Sequence, residues 1–192
     1  MHSARNYEVQ PMPAWQKPWA ANGANVQTFL PYADFRKSAA VLDYRRLGKQ
    51  RVETWQILNV LLQLKANPDA KPAWMNHPAV LMWQGYEPAL CLYGIDMCRE
   101  WMARGYNDTM YDRFAKTYAG LWQNFYLPPN PPWIGRISFH QSHRSNLLRK
   151  DWRYYRKYWP KLSSKLEYVW PVTKDMKSDA KKNQNHLTMV SS

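Results

Sequence analysis

Leu42-Asp43-Tyr44-Arg45-Arg46-Leu47-Gly48-Lys49-Gln50-Arg51-Val52-Glu53-Thr54-Trp55-Gln56-Ile57-Leu58-Asn59-Val60-Leu61-Leu62-Gln63-Leu64 is the stretch on which the fold turns. Leu42, Val52, Trp55, Ile57, Leu58, Leu61 and Leu62 make an apolar stripe at helical spacing that reaches Leu64. Upstream, Asp34 can cap a helix that starts at Phe35. Gly48 interrupts the stripe and predicts a kink or a short break there. Asn67-Pro68-Asp69 ends it.

The same reading extends outward. Asn76-His77-Pro78 opens a second helical stretch, with Pro78 near the favoured first-turn position. Gly85 breaks it, Glu87-Pro88-Ala89 restarts it, and it runs to Arg104, where Gly105 fits the C-terminal cap. A shorter helix is expected from Thr109 to Tyr118. The prolines in Leu127-Pro128-Pro129-Asn130-Pro131-Pro132-Trp133 exclude helix and read as an extended linker. Ser142 to Lys150 reads as a helix, and Asp151 to Tyr158 as another or its continuation. There is no alternating strand pattern and no repeat at solenoid spacing. The expectation is an all-α fold, a single compact helical domain over residues 26–172. Residues 1–25 carry Pro11, Pro13, Pro18, Trp15 and Trp19 without a period and read as an irregular arm. Residues 173–192 are polar and lysine-rich (Lys174, Lys177, Lys181, Lys182) and read as a flexible solvated tail.

The chain has 192 residues, suited to one domain with appended segments. Its 45% hydrophobic content excludes wholesale disorder. No apolar run approaches the ~18 residues of a membrane span, and the start lacks the apolar core of a signal peptide. A cytosolic, cytoplasmic location is the expectation. Cys91 and Cys98 stand seven residues apart, which on a helix separates them by roughly 10 Å along the axis, too far to bridge. They read as small core residues.

The net charge of +13 points to a polyanionic partner, and nucleic acid is the usual one. Eleven Trp and thirteen Tyr, several among Arg and Lys, add surfaces on which bases can stack, although each aromatic could equally fill a core. On a helix, Arg45, Lys49 and Glu53 recur every fourth residue on one face, with Arg46 beside them. Such a stripe, with Arg51, can grip phosphates. Glu53 among cations would keep its charge and act on a developing positive centre. The bland alternative is a solvated face with spaced ion pairs, Asp43 with Arg46 and Lys49 with Glu53. In the second basic segment, His140, His143, Arg144, Asn146, Arg149, Lys150 and Trp152 are the candidate DNA contacts, followed by Arg153-Tyr154-Tyr155-Arg156-Lys157. Only His77 could add a third imidazole to His140 and His143, and no cysteine is close. The reading is therefore no metal and no cofactor, with the histidines hydrogen-bonding either structurally or to phosphate. No P-loop, G-x-G-x-x-G or G-x-S-x-G occurs. Attack of an amine on a nucleotide sugar carbon, giving an imine, is a metal-free option that remains.

Several strings resemble one family. Thr28-Phe29-Leu30-Pro31-Tyr32, Leu42 to Glu53, Asn76-His77-Pro78-Ala79, Met82-Trp83-Gln84-Gly85-Tyr86-Glu87 and Ser142 to Lys150 are similar to the bacterial branch of the pyrimidine-dimer DNA glycosylases, a family typified by phage endonuclease V. The likeness covers roughly Gln27 to Trp159. It implies a compact all-helical domain and a repair enzyme that excises a damaged pyrimidine and then nicks the abasic site. It also implies double-stranded DNA as partner, a monomer, and no metal. In the phage enzyme the nucleophile is the terminal α-amine, assisted by a glutamate.

Carried onto this chain, Tyr44 and Arg45 match the phage Tyr-Arg, Leu47 matches the Leu, and Lys49 replaces a second arginine. Arg46 stands where that glutamate would be, which leaves Glu53 and Asp43 as the nearby carboxylates. Glu53 and Lys49 are the candidate catalytic residues. Two accounts of the amine compete. Either the arm belongs to the protein and Lys49 supplies the amine, or Val26 is the start, read from a GTG codon behind a ribosome site that codons for Gly23-Ala24 would allow. The alternative function is a nucleic-acid-binding protein that keeps the fold without the chemistry.

Overall fold

Asp34 opens the first helix as expected, its side chain accepting from the Lys37 N–H. In the computed structural model, which describes residues 27–121 and 130–171, this helix is α1 (Phe35–Val41). It is followed by α2 (Tyr44–Ala66), α3 (Pro78–Trp83), α4 (Glu87–Ala103), α5 (Tyr111–Leu121), α6 (Ile137–Lys150) and α7 (Trp152–Tyr155). Among the described residues there is no strand, and the fold is all-α. No helix there is long and apolar enough to cross a membrane. The arm at 1–25, Val26, the first part of the proline-rich linker and the tail at 173–192 lie outside the described residues.

The break expected at Gly48 falls six residues earlier. Leu42 and Asp43 are extended, and the Asp43 carboxylate caps α2 by accepting from the Arg45 and Arg46 N–H groups. The carbonyls freed at the end of α1 go to the Arg104 guanidinium, which donates to Leu42 O at 2.7 Å and to Ala40 O at 3.1 Å. Gly48 instead lies inside α2, and its role is close approach. A Cβ there would sit 3.0 Å from the Trp101 ring.

α4 lies against α1, α2 and α5. Gly94 lets Phe114 of α5 touch the α4 backbone, where a Cβ would come within 2.5 Å of the ring. Cys91 and Cys98 are both free and buried on α4. The remaining boundaries shift for local reasons. α5 starts at Tyr111 because Asp108 accepts from the Met110 and Tyr111 N–H groups. The end of the proline stretch is a turn, with Ile134 N–H on Pro131 O, and α6 follows it from Ile137, five residues before the expected start. α7 is a single turn capped by Asp151, shorter than the expected 151–158 helix.

The least helical part of the core is its organising feature. Residues 27–31 are buried and belong to no helix or strand. Their backbone groups cannot be left bare, so side chains replace the missing ladder. Gln50 of α2 takes the Phe29 N–H at 2.8 Å and gives an N–H to Gln27 O at 2.7 Å. His143 Nδ1 accepts from Leu30 N–H at 3.1 Å. His140 Nε2 accepts from Gly135 N–H, which leaves its Nδ1–H to donate to Leu30 O at 2.8 Å. Arg144 donates to Pro31 O at 2.7 Å. Helices α2 and α6 thus hold the segment from two sides.

Candidate active site

The segment ends at a cleft of about 580 Å³. Gln27 and Phe29 form one wall, the first three turns of α2 another, and Lys150, Asp151 and Tyr154 at the α6–α7 junction a third. From α2 come Asp43, Tyr44, Arg45, Arg46, Lys49, Gln50 and Glu53, which the helical period brings to one side. Four cations, Arg45, Arg46, Lys49 and Lys150, therefore surround the opening.

Glu53 is the more deeply buried of the two buried carboxylates, Asp43 and Glu53, that line the cleft. Lys49 Nζ stands 3.0 Å from its Oε1, and Gln50 Nε2 donates to its Oε2 at 2.8 Å. The Gln27 backbone N–H also bonds to it. Cations alone would keep this carboxyl low, as the sequence suggested. Burial outweighs them and pushes it up to about 6, against the pull of Lys49, the Gln27 N–H and Lys150. A carboxyl poised there can exchange a proton near neutral pH. Lys150 keeps over a third of its surface exposed, yet partial loss of water, with Arg46 and Lys49 nearby, lowers its pKa.

Both ion pairs foreseen on α2 form. Arg46 Nη1 lies 2.6 Å from Asp43 Oδ2, and Asp43 also accepts from the Tyr155 hydroxyl at 2.6 Å. Burial pushes Asp43 upward, but the hydrogen bonds from Tyr155 and Arg46 prevail and its pKa is lowered. Asp43 is thus committed to capping α2 and to holding α7, and Glu53 is the carboxylate left for proton exchange.

The other candidates separate by exposure. Arg45, Arg149 and Trp152 are exposed, Asn146 is partly exposed, and Trp152 and Tyr44 present 45% and 53% of their surfaces. Arg51 is buried, 2.9 Å from Asp108 and over the Trp101 ring, and does not line the cleft. His143 is fully buried and His140 nearly so. Of the two roles open to these imidazoles, the geometry supports the structural one, on the Leu30 backbone. Burial lowers the pKa of both. His77 caps α3, its Nδ1 accepting from Ala79 N–H. Among the described residues no group of three or more His, Cys, Asp or Glu could hold a metal ion. Among the described residues several large aromatics, such as Trp55, Trp83, Trp133 and Tyr93, are core. Gln50 and Gln27 were missed in the sequence. The available signal was that Gln50 stands three residues before Glu53, on the same helical face.

Residues 26–113 match the model of a family described as pyrimidine dimer DNA glycosylase. The matched span contains Gln27, all of α2 and therefore Glu53. It supports DNA repair by a pyrimidine dimer glycosylase as the general function, with DNA as the substrate. Neither the curated proteins nor the solved structures yield a match.

Proposed function

On the premise that this chain resembles the pyrimidine dimer DNA glycosylases over residues 26–113, we propose that it excises a damaged pyrimidine from duplex DNA and then cleaves at the abasic site, using the cleft on α2. The observation that carries this reading is Glu53, buried beneath a cationic opening with a pKa near 6. Arg45, Arg46, Lys49 and Lys150 hold the phosphates that flank the lesion. The damaged nucleotide leaves the stack, which costs least where pairing is already impaired. Tyr44 and Trp152 are exposed aromatic surfaces suited to the space it vacates.

The chemistry needs an amine and a proton acceptor. The amine nitrogen bonds to C1′ of the sugar, and the base leaves with the electron pair of the glycosyl bond and takes up a proton. The C1′–O4′ bond then breaks, O4′ takes up the proton that the nitrogen gives up, and the protonated imine that results acidifies the C2′–H. Glu53 accepts that proton, and the 3′ phosphate departs as the strand opens. Besides the Gln50 amide, two nitrogens lie beside Glu53. Lys49 Nζ is in direct contact at 3.0 Å. The Gln27 backbone nitrogen is the other, and it is an amine only in a chain that begins there.

Borohydride reduction during incubation with a dimer-bearing duplex tests this reading. A covalent protein–DNA adduct is expected. Binding without adduct and without incision would leave the fold as a nucleic-acid-binding module, the reading that Arg46 in the family's glutamate position favours. Lys49→Arg keeps the charge but removes the amine. Loss of the adduct in that variant assigns Lys49. Retention, with stronger trapping by a chain starting at Gln27, assigns the terminal nitrogen.

A further inference from the structure

Gln50 is fully buried, and its amide has no capacity to spare. The two hydrogens on Nε2 go to Gln27 O at 2.7 Å and Glu53 Oε2 at 2.8 Å. Oε1 accepts from the Phe29 N–H at 2.8 Å and from the Tyr93 hydroxyl at 2.6 Å. That hydroxyl also lies 3.0 Å from Phe29 O, and its single proton serves one acceptor at a time. The amide cannot be turned over. A flip would set NH2 against the Phe29 N–H, and carbonyl oxygen against both Gln27 O and the Glu53 carboxylate.

These bonds join two parts of the site that no covalent link holds in register. Glu53 rides on α2, whereas Gln27 and Phe29 belong to a segment that is in no helix or strand. Gln50 is one turn from Glu53 on the helix and touches the segment on both sides of Thr28. We infer that Gln50 is a positioning residue for the proposed reaction, aiming the Glu53 carboxylate and fixing the Gln27 end of the segment against it. Lys49 does not replace it, because Lys49 holds the other carboxylate oxygen and does so from a half-exposed position. Gln50 reaches no solvent, so it contributes nothing directly to holding DNA.

The inference rests on Glu53 being the proton-transfer group, and the test separates the two. In the full chain, Gln50→Met removes the polar amide and keeps the volume, Gln50→Glu keeps the acceptor side, and Glu53→Gln is the reference. Incision of a duplex carrying a defined pyrimidine dimer is followed against pH in single turnover, beside duplex affinity. For Gln50→Met the rate is expected to fall about 10- to 100-fold with affinity unchanged. The acidic limb of its pH profile should move above the wild-type position, because the carboxylate loses a donor that favours its charged form. Gln50→Glu should not restore the rate, since it offers oxygen where Glu53 needs a donor. An unchanged rate and pH limb in a folded Gln50→Met protein, with Glu53→Gln inactive, would overturn the positioning role and leave the proposed function standing. Full activity in Glu53→Gln would remove both. Should the Gln50 variants fail to fold, the wild-type chain still decides. The side-chain amide resonances of Gln50 must shift with the titration of Glu53 near pH 6, and a flat response there overturns the inference.

Discussion

On α2, Arg45 and Lys49 face the cleft and solvent. On α6, His140, His143 and Arg144 turn inward and spend their hydrogen bonds on Leu30 and Pro31. Both helices are rich in groups that could meet a phosphate. The difference lies in what each helix leans on. α6 turns His140, His143 and Arg144 onto the segment at 27–31, and that segment needs donors and acceptors from outside its own backbone. The face of α2 that carries Arg45 and Lys49 opens on the cleft. On the proposed function, a basic, polar helix is free to meet DNA where its face is open, and it serves the fold where a bare stretch of backbone lies beneath it.

The sharpest way to break this comparison is His143→Ala. A buried imidazole bonded to Leu30 should cost about 2–4 kcal/mol of stability when truncated, through the cavity and the unpaired N–H. Chemical denaturation measures it. The salt dependence of DNA binding should stay as in the wild type for the protein that remains folded. A stable variant with a reduced salt slope would place His143 at the phosphates instead.

Acid titration sharpens the α2 side. Glu53 has a higher pKa folded, about 6, than its ordinary 4.5, so the folded state binds the extra proton between these values. Its contribution to stability is greatest at or below pH 4.5 and is lost as pH rises through 6, a span worth about 2 kcal/mol. Glu53→Gln should therefore be more stable than wild type at pH 7.5 by up to about 2 kcal/mol, with the advantage vanishing near pH 4.5. An advantage that does not vary with pH would mean that Glu53 is not desolvated.

A smaller effect separates two arginines on the same helix. Arg45→Ala should lower the slope of log affinity against log salt by about 1, since it removes an exposed phosphate contact. Arg51→Ala should leave the slope unchanged and reduce stability, because it strips Asp108 of its buried partner. For the whole protein, about five phosphate contacts give a slope near −4 to −5. Equal slope changes for the two variants would erase the distinction between open and buried cations.

Much of the helical framework was legible because its signals are local. Asp34, His77-Pro78, Gly85, Asn67 and Gly105 act on their immediate neighbours, and each marks an element edge close to where it was read. Gly48 misled because a glycine in a helix has two uses, and the partner that decides between them, Trp101, is far away in sequence. The site was half legible. The i, i+4 spacing of Arg45, Lys49 and Glu53 is a property of one helix and needs nothing else. The burial of Arg51, the inward turn of the α6 histidines and the bonds of Gln50 all depend on the segment at 27–31 or on Asp108. Nothing in a helical period announces that a strandless stretch of backbone will be satisfied by side chains over a hundred residues away.

The central claim is that the cleft floored by Glu53 is where the chemistry occurs. Its most direct measurement is the single-turnover incision of a duplex bearing one pyrimidine dimer, at saturating protein, for wild type and Glu53→Gln. The account predicts that wild type cuts at the dimer and that the variant binds with the same affinity but cuts about 10²- to 10⁴-fold more slowly. Equal rates in the two proteins, or tight binding by wild type with no incision at all, would contradict it.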